Sequence, residues 1–205
     1  MGLKKIILFV LISFVGYSQN YHDTQGKLNI NSGGQANFNI PIAMPPSISN
    51  VGPTINLSYL SGATTGIAGQ SWNINSISSI SRVSTRLDID GFRDGVDFDQ
   101  HDRLSLDGQF LLLKSGTYFQ SGAEYITEVQ SNIKIQQIGS GNSVYFLVTA
   151  PDGSRTWYGN FGGQNAVDVN SYYITRFEDS EGNFIVYDYI IGNNTININE
   201  IRFSG

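Results

Sequence analysis

Pro53-Thr-Ile-Asn-Leu-Ser-Tyr-Leu-Ser-Gly62, followed by Gly66-Ile-Ala-Gly-Gln-Ser-Trp72-Asn-Ile-Asn-Ser-Ile77-Ser-Ser-Ile80-Ser-Arg82, is the stretch on which the fold turns. Ile55, Leu57 and Tyr59 alternate with Thr54, Asn56 and Ser58. That period of two puts one set of side chains on each face of a half-buried strand. Glycines then separate this strand from a second segment anchored on Trp72. Ile55, Leu57, Tyr59, Trp72, Ile77 and Ile80 are therefore expected in the core.

Composition extends this reading to the whole chain. Only 14% of the 205 residues are charged and 23 are glycine, while Ser, Asn, Thr, Ile and aromatics fill much of the rest. This is the vocabulary of strands and turns, and the length suits one ordinary domain or part of a larger assembly. The expected fold is all-β, with antiparallel hairpins forming a sandwich or a curved, shell-like sheet and little helix. No long window shows helical periodicity with caps.

Lys4 and Lys5, the apolar run Ile6 to Val15, and the small residues Gly16 and Ser18 read as a signal peptide over 1–18. A polar lead-in follows over 19–25. The chain contains no cysteine, so lipid attachment through cysteine and disulfide stapling are both excluded. The expected location is secreted, with no membrane span once the leader is cleaved. The formal charge is −5 and becomes more negative when the two leader lysines are lost. Nucleic acid is an unsuitable partner, because phosphate attraction needs a basic groove.

Downstream, Phe38, Ile40 and Ile42 alternate with Asn37, Asn39 and Pro41, and the prolines at 41, 45 and 46 restrict this piece to a sheet edge or an extended connection. Asp88 to Asp102 reads as a long polar loop or a pair of tight turns. Three hairpins follow, each turning on an acidic residue and a glycine: Asp107-Gly108, Asp152-Gly153 and Glu181-Gly182. Val144 to Val148 is apolar on both faces, as in a strand covered on both sides. Ile196, Ile198, Ile201 and Phe203 form a last strand pattern with a phase break at Glu200, read as the unfinished edge of a longer protein. The units expected are a β domain over 26–170 and a further hairpin with an incomplete strand over 171–205.

Pro53, Leu57, Tyr59, Ser61, Gly69, Trp72, Ile80 and Arg82 resemble the core pattern of the SpvB family, the N-terminal region of the virulence-plasmid B protein and of the B subunits of insecticidal toxin complexes. Asp97-Phe-Asp-Gln-His-Asp-Arg-Leu-Ser-Leu-Asp107-Gly108 is similar to the Asp-rich stretch of that family, and Phe146 to Gly159 to its Pro-Asp-Gly hairpin. Tyr172 to Tyr189 resembles a YD-type unit of Rhs shells. In place of the usual glycine before the tryptophan stands Ser71. The resemblance covers residues 26 to 205 and implies a structural role: helping to build a β-shell around a toxic C-terminal segment, with downstream shell segments or a toxin-complex C-type subunit as partners. It implies no enzyme in this region. An ADP-ribosyltransferase of the kind some members carry needs a Glu-x-Glu element, and none occurs here.

The remaining chemistry is sparse. Two histidines, His22 and His101, cannot supply a zinc site. His101 near Asp99 and Asp102 suggests a Ser/His/Asp set, but no Gly-x-Ser-x-Gly elbow accompanies it. No catalytic and no cofactor-binding residue is assigned. Asp88, Asp90, Asp94, Asp97 and Asp99, with Asp102 and Asp107 beyond, form the densest acidic cluster. The first five are candidate calcium ligands, since a hard cation takes several carboxylate oxygens, although no EF-hand register fits. Gly139-Ser-Gly141-Asn-Ser-Val144 reads as a hairpin tip rather than a dinucleotide loop. A second functional reading is a binding module for glycan or a host protein, with the aromatics as its surface and calcium as an aid.

Overall fold

The computed structural model describes residues 26–31, 33–66, 68–75, 77–192 and 195–204. The expected leader and polar lead-in lie outside them. The described chain is all-β and antiparallel throughout, in two sheets. The first sheet is built from β1 (Lys27–Ile30), β2 (Ala36–Ile42), β3 (Ile55–Leu60), β4 (Thr65–Gly66), β5 (Gly69–Gln70) and β6 (Trp72–Asn75), in the order β1-β2-β3-β6-β5-β4. Between β2 and β3, a short turn at Ile48–Asn50 hands its first amide, on Ile48, to the carbonyl of Ser204.

The second sheet begins with β7 (Ser79–Val83), one helical turn α1 (Leu87–Asp90), β8 (Arg103–Leu106), β9 (Gln109–Ser115) and β10 (Glu124–Thr127). It continues through β11 (Lys134–Ile138), β12 (Tyr145–Thr149), β13 (Arg155–Gly159) and β14 (Ser171–Glu178). Each of these strands pairs with the next, and β14 also pairs with β7 through Ser171↔Ser81 and Tyr173↔Ser79, so eight strands close into an up-and-down barrel. Closure removes two sheet edges that would otherwise invite aggregation. The curvature expected from the sequence thus goes as far as a ring. The point between residues 170 and 171 falls inside this ring, immediately before the strand that closes it.

One edge of β14 serves two partners. Its first residues pair with β7, whereas Arg176, Phe177 and Glu178 pair with β15 (Phe184–Gly192). β15 in turn carries β16 (Thr195–Phe203) on its outer side. Asp188 opposes Glu200 and Tyr189 opposes Ile198, which leaves Asn199 as a bulge. This bulge is the structural form of the phase break expected at Glu200, one residue earlier. A second bulge lets β14 curve around the barrel: Trp157 opposes Arg176 and Tyr158 opposes Ile174, and the intervening Thr175 donates its hydroxyl to the Trp157 carbonyl at 3.2 Å.

The three acid–glycine turns form as expected, with φ of 83°, 86° and 89° at Gly108, Gly153 and Gly182. The core, however, lies inside the barrel and under the β15–β16 hairpin, centred on Ile80, Leu104, Leu111, Tyr125, Ile135 and Phe146. Of the six residues expected in the core, only Ile80 is fully buried. Ile77 packs at its margin. Ile55, Leu57, Tyr59 and Trp72 remain half-buried on one face of the first sheet, because alternation fixes the face a side chain takes but not whether a second layer covers that face. Val144 to Val148 is corrected for the same reason: Val144, Phe146 and Val148 point inward, while Tyr145 and Leu147 stay half-exposed on the outer wall.

Ser71 occupies a left-handed conformation, φ 63°, between β5 and β6. A glycine takes this conformation without strain, which gives the resemblance's usual glycine a physical reason. Here the hydroxyl of Ser71 donates to the Ala63 carbonyl at 3.1 Å and offsets part of the cost. Ser71→Val forfeits that bond and puts a β-branched side chain at positive φ. It is expected to lower stability by about 2 kcal/mol, whereas Ser71→Gly stays within about 0.5 kcal/mol of the parent, because relieved strain and lost hydrogen bond oppose each other. Urea midpoints followed by Trp72 fluorescence test the contrast, and equal midpoints for the two variants would refute it.

Candidate functional site: the long-loop rim

In an up-and-down barrel, alternate connections gather at opposite rims. One rim holds the tight turn at Asp107-Gly108, the turns at 150–154 and 179–183, and the 128–133 connection. The other holds the connections at 84–102, 116–123, 139–144 and 160–170, among them the three longest of the ring. Loops on a rigid frame are where proteins place recognition, so the long-loop rim is the candidate site.

The acidic 84–102 loop dominates it. Arg86 starts α1 and Gly91 ends it at φ 78°. Two arginines from the barrel strands then hold the loop down. Arg82 on β7 donates to Asp102 at 2.7 Å and to the Asp99 carbonyl at 3.1 Å. The Asp102 side chain is fully buried, and its carboxylate also accepts the amides of Asp97 and Phe98, at 3.1 and 3.0 Å. Arg103 on β8 donates to Asp90 at 2.5 Å and to the carbonyls of His101 and Asp102. Aromatic rings of the neighbouring 116–123 loop close over both guanidiniums, Phe119 at 4.2 Å from Arg82 and Tyr118 at 4.4 Å from Arg103. Arg86 reaches outward, to Asp88 at 2.6 Å and to Glu128 at 2.7 Å.

The acidic cluster expected from the sequence is thereby divided. Asp88 and Asp90 face arginines. Asp107 lies on the opposite rim, where it accepts from Ser78 at 2.6 Å and from the amide of Ser79 at 2.9 Å. Among the described residues, two groups gather carboxylates closely enough for one cation: Asp94, Asp99 and His101, and Asp97, Asp99 and Asp102, each with candidate ligand atoms within 4.8 Å of one another. Burial, then repulsion from Asp99 and Asp94, pushes the Asp97 carboxyl above the usual range. Asp99 is held below it by hydrogen bonds from the His101 amide and ring.

Among the described residues, the His101 ring hydrogen-bonds to a carboxylate and to no nucleophile: its Nδ1 meets Asp99 at 2.9 Å. That hydrogen bond, and then the charge of Asp99, raise the imidazole above its ordinary 6.5. A raised folded value means that the contact stabilises the loop fully below about pH 6.5 and that this contribution is lost as pH rises through the raised value. The His101 ring in the parent should titrate above 6.5 by NMR, and Asp99→Asn should return it towards 6.5. An ordinary midpoint in the parent would remove the contact from the loop's electrostatics.

Three features around this loop and the barrel beneath it went unseen in the sequence. Glu128, at the start of the 128–133 connection, joins Arg86, so the acidic loop reaches down the barrel wall. Gln137, 1% exposed, accepts from the Tyr125 hydroxyl at 3.1 Å inside the barrel, where burial pushes that phenol up to about 12. The third is a cleft of about 550 Å³ between the 139–144 and 160–170 loops, lined without any charged side chain by residues that include Asn142, Asn160, Gln164, Asn165 and Tyr172. Scattered asparagines and glutamines carry no periodic signal, so only the fold gathers them. The two tryptophans serve different places. Trp157 is buried and stacks on Phe161 at 4.9 Å, whereas Trp72 pairs with Tyr59 at 5.2 Å on the first sheet.

An antiparallel barrel with a branching hairpin, an appended sheet and an arginine-held acidic loop defines an all-β barrel class of domain. The particular family follows from its sequence: the description Salmonella virulence plasmid 65kDa B protein matches residues 30–202, and the chain belongs to this SpvB family. No curated protein sequence matches it. Among solved structures, the TcdB2-TccC3 crystal structure matches with a TM-score of 0.66 at 16% identity, covering 88% of this chain and 10% of that one. The Photorhabdus luminescens Tc holotoxin pore, carrying a TccC3-D651A mutation, matches with a TM-score of 0.62 at 17% identity, over 83% of this chain and 9% of that one. The N-terminal domain of effector protein SpvB from Salmonella typhimurium strain LT2 matches with a TM-score of 0.57 at 16% identity, over 80% of this chain and 63% of that one. These likenesses show the fold, and the chain spans about a tenth of the length of the first two.

Among the described residues, no helix is long and apolar enough to cross a membrane.

Proposed function

We propose that this chain is a non-catalytic structural domain of an exported toxin-complex-like protein, contributing β-structure to a shell that houses or delivers a toxic C-terminal segment. The observation that carries the reading is the shared fold over 88% of the chain with TcdB2-TccC3, together with SpvB family membership. The closed barrel and the clamped acidic loop support it physically, since both hold backbone in place. Its partners are then downstream shell segments or a C-type subunit. The test is the DNA following the Gly205 codon, with electron microscopy of the product it encodes. Further hairpin-forming sequence and a hollow particle are expected. A stop codon there, with no neighbouring gene for a C-type subunit, would overturn the reading.

Calcium is retained as a proposal at the Asp94, Asp97 and Asp99 end of the acidic loop, where burial and then repulsion from Asp99 and Asp94 raise Asp97, and a cation relieves the repulsion. Millimolar calcium then raises the thermal midpoint, more so in the parent than in Asp97→Asn. Superimposable melts with and without calcium would remove it.

A further inference from the structure

Four aspartates of the chain stand directly before a glycine: Asp90, Asp94, Asp107 and Asp152. In such a pair the backbone nitrogen of the glycine can close a five-membered ring with the aspartate side chain, and a residue without Cβ leaves that nitrogen open to approach. Where each carboxylate points decides which pair can react.

Three of the carboxylates are turned onto other donors. Asp90, with its side chain 6% exposed, accepts from Arg103 at 2.5 Å and from the Arg86 amide at 2.8 Å. Asp107 accepts from the Ser78 hydroxyl at 2.6 Å and the Ser79 amide at 2.9 Å. Asp152 accepts from the amide and the hydroxyl of Ser154, at 2.9 and 2.7 Å. The amides of Gly91 and Gly153 are engaged as well, donating to the carbonyls of Leu87 and Ala150. Gly91, Gly108 and Gly153 all sit in tight left-handed turns, at φ of 78°, 83° and 86°.

Asp94 is arranged the other way. Its Oδ1 accepts from the Gly95 amide itself, at 3.0 Å. Its main chain is meanwhile clasped by the buried Thr85. The Asp94 amide donates to the Thr85 hydroxyl at 2.5 Å, and the Asp94 carbonyl accepts from the Thr85 amide and hydroxyl at 3.2 and 3.3 Å. The amide nitrogen and carbonyl oxygen so held both lie outside the ring that would form. Gly95 is exposed, and a Cβ built on it meets nothing within 4 Å. A carboxyl lying against the attacking nitrogen on a fixed residue is a near-attack arrangement, and groups held at roughly 3–3.5 Å gain orders of magnitude in rate.

We propose that Asp94-Gly95 modifies itself: the Gly95 nitrogen closes on the Asp94 side chain to a succinimide, which water reopens as isoaspartate. In the first step the nitrogen bonds to Cγ of Asp94 in its acid form, and the amide proton leaves with the carboxyl hydroxyl as water. In the second, one water adds back. At Cγ it restores aspartate; at the main-chain carbonyl carbon it breaks the old peptide bond, so the chain runs on through Cβ and Cγ and the former carbonyl becomes a free carboxylate. Nothing is oxidised or reduced. The product has one more carbon in its main chain and draws Asp94 out of the group it forms with Asp99 and His101. The reaction goes beyond the shell reading and does not depend on it.

The test is to age the full chain for several weeks at physiological temperature, with a chelator present so that the outcome is independent of calcium. Peptide mapping with electron-transfer fragmentation then counts isoaspartate at each aspartate–glycine pair. In the folded protein Asp94 should convert about tenfold or more faster than Asp90, Asp107 and Asp152, whereas in urea the pairs should convert at similar rates. Gly95→Ala adds a methyl that has room, so the loop keeps its place, as an unchanged His101 NMR signal verifies. It should slow conversion at Asp94 about tenfold by crowding the nitrogen. Equal conversion at all pairs of the folded protein would overturn the proposal. So would slower conversion of Asp94 in the folded protein than in urea, which would make the Thr85 clasp protective. An Asp94 rate that Gly95→Ala leaves unchanged would overturn it too, since access to that nitrogen would then not govern the closure.

Discussion

Asp102→Ala should lower unfolding free energy by about 3–5 kcal/mol, the cost of stripping one partner from a buried ion pair. The Asp102 side chain is fully buried and the Arg82 side chain is 15% exposed, so water cannot readily replace the lost carboxylate. Three donors lose their acceptor at once: the Arg82 guanidinium and the amides of Asp97 and Phe98. Urea unfolding monitored by circular dichroism gives the magnitude. Asp88→Ala supplies the contrast, because Asp88 and Arg86 meet in solvent, where such a pair contributes about 0–1 kcal/mol. If the two variants lost equal stability, the acidic loop would not be held as described.

Phe146→Ala is the second large effect, with an expected loss of about 3–5 kcal/mol. Its ring is fully buried, 6.1 Å from that of Tyr125 and edge-on to Tyr172 at 4.9 Å. Truncation opens a cavity that a closed barrel has little freedom to collapse. Trp72→Ala should cost only about 1 kcal/mol, because the indole leaves one half-exposed contact with Tyr59. Comparable losses would mean that the first sheet's apolar face is covered and that the core extends to it.

The two tryptophan environments explain how far the sequence could be read. Alternation at Ile55, Leu57 and Tyr59 identified a strand and its faces correctly, and the acid–glycine pairs identified three hairpins, because both signals are local. Whether a face is covered is a long-range property. It separates Trp157, on the outer wall beside Leu147 and buried beneath Phe161, from Trp72, which stays half-buried on the first sheet. Barrel closure was equally invisible, since it rests on Ser171 to Tyr173 meeting Ser79 to Ser81 across about 90 residues of chain. At the rim, the density of aspartates was plain in the sequence, but their sorting was not. The arginines that hold Asp90 and Asp102 come from β8 and β7, and β8, which separates Asp102 from Asp107, carries Asp107 to the far rim.

The strand β14, with Ser171 to Tyr173 on the ring and Arg176 to Glu178 on β15, acts as a fork in the backbone network. A fork of this kind decouples two events that a simple closed barrel would join. The β15–β16 hairpin can peel away and exchange its amides while the ring remains shut, at the cost of baring the stretch at Arg176 to Glu178 and the part of the core that Ile185 and Tyr187 complete. The same stretch is where a different hairpin could seat in its place. The molecule thus carries a replaceable sheet margin grafted onto a permanent ring, so that variation in the attached β-structure need not disturb the barrel that bears it.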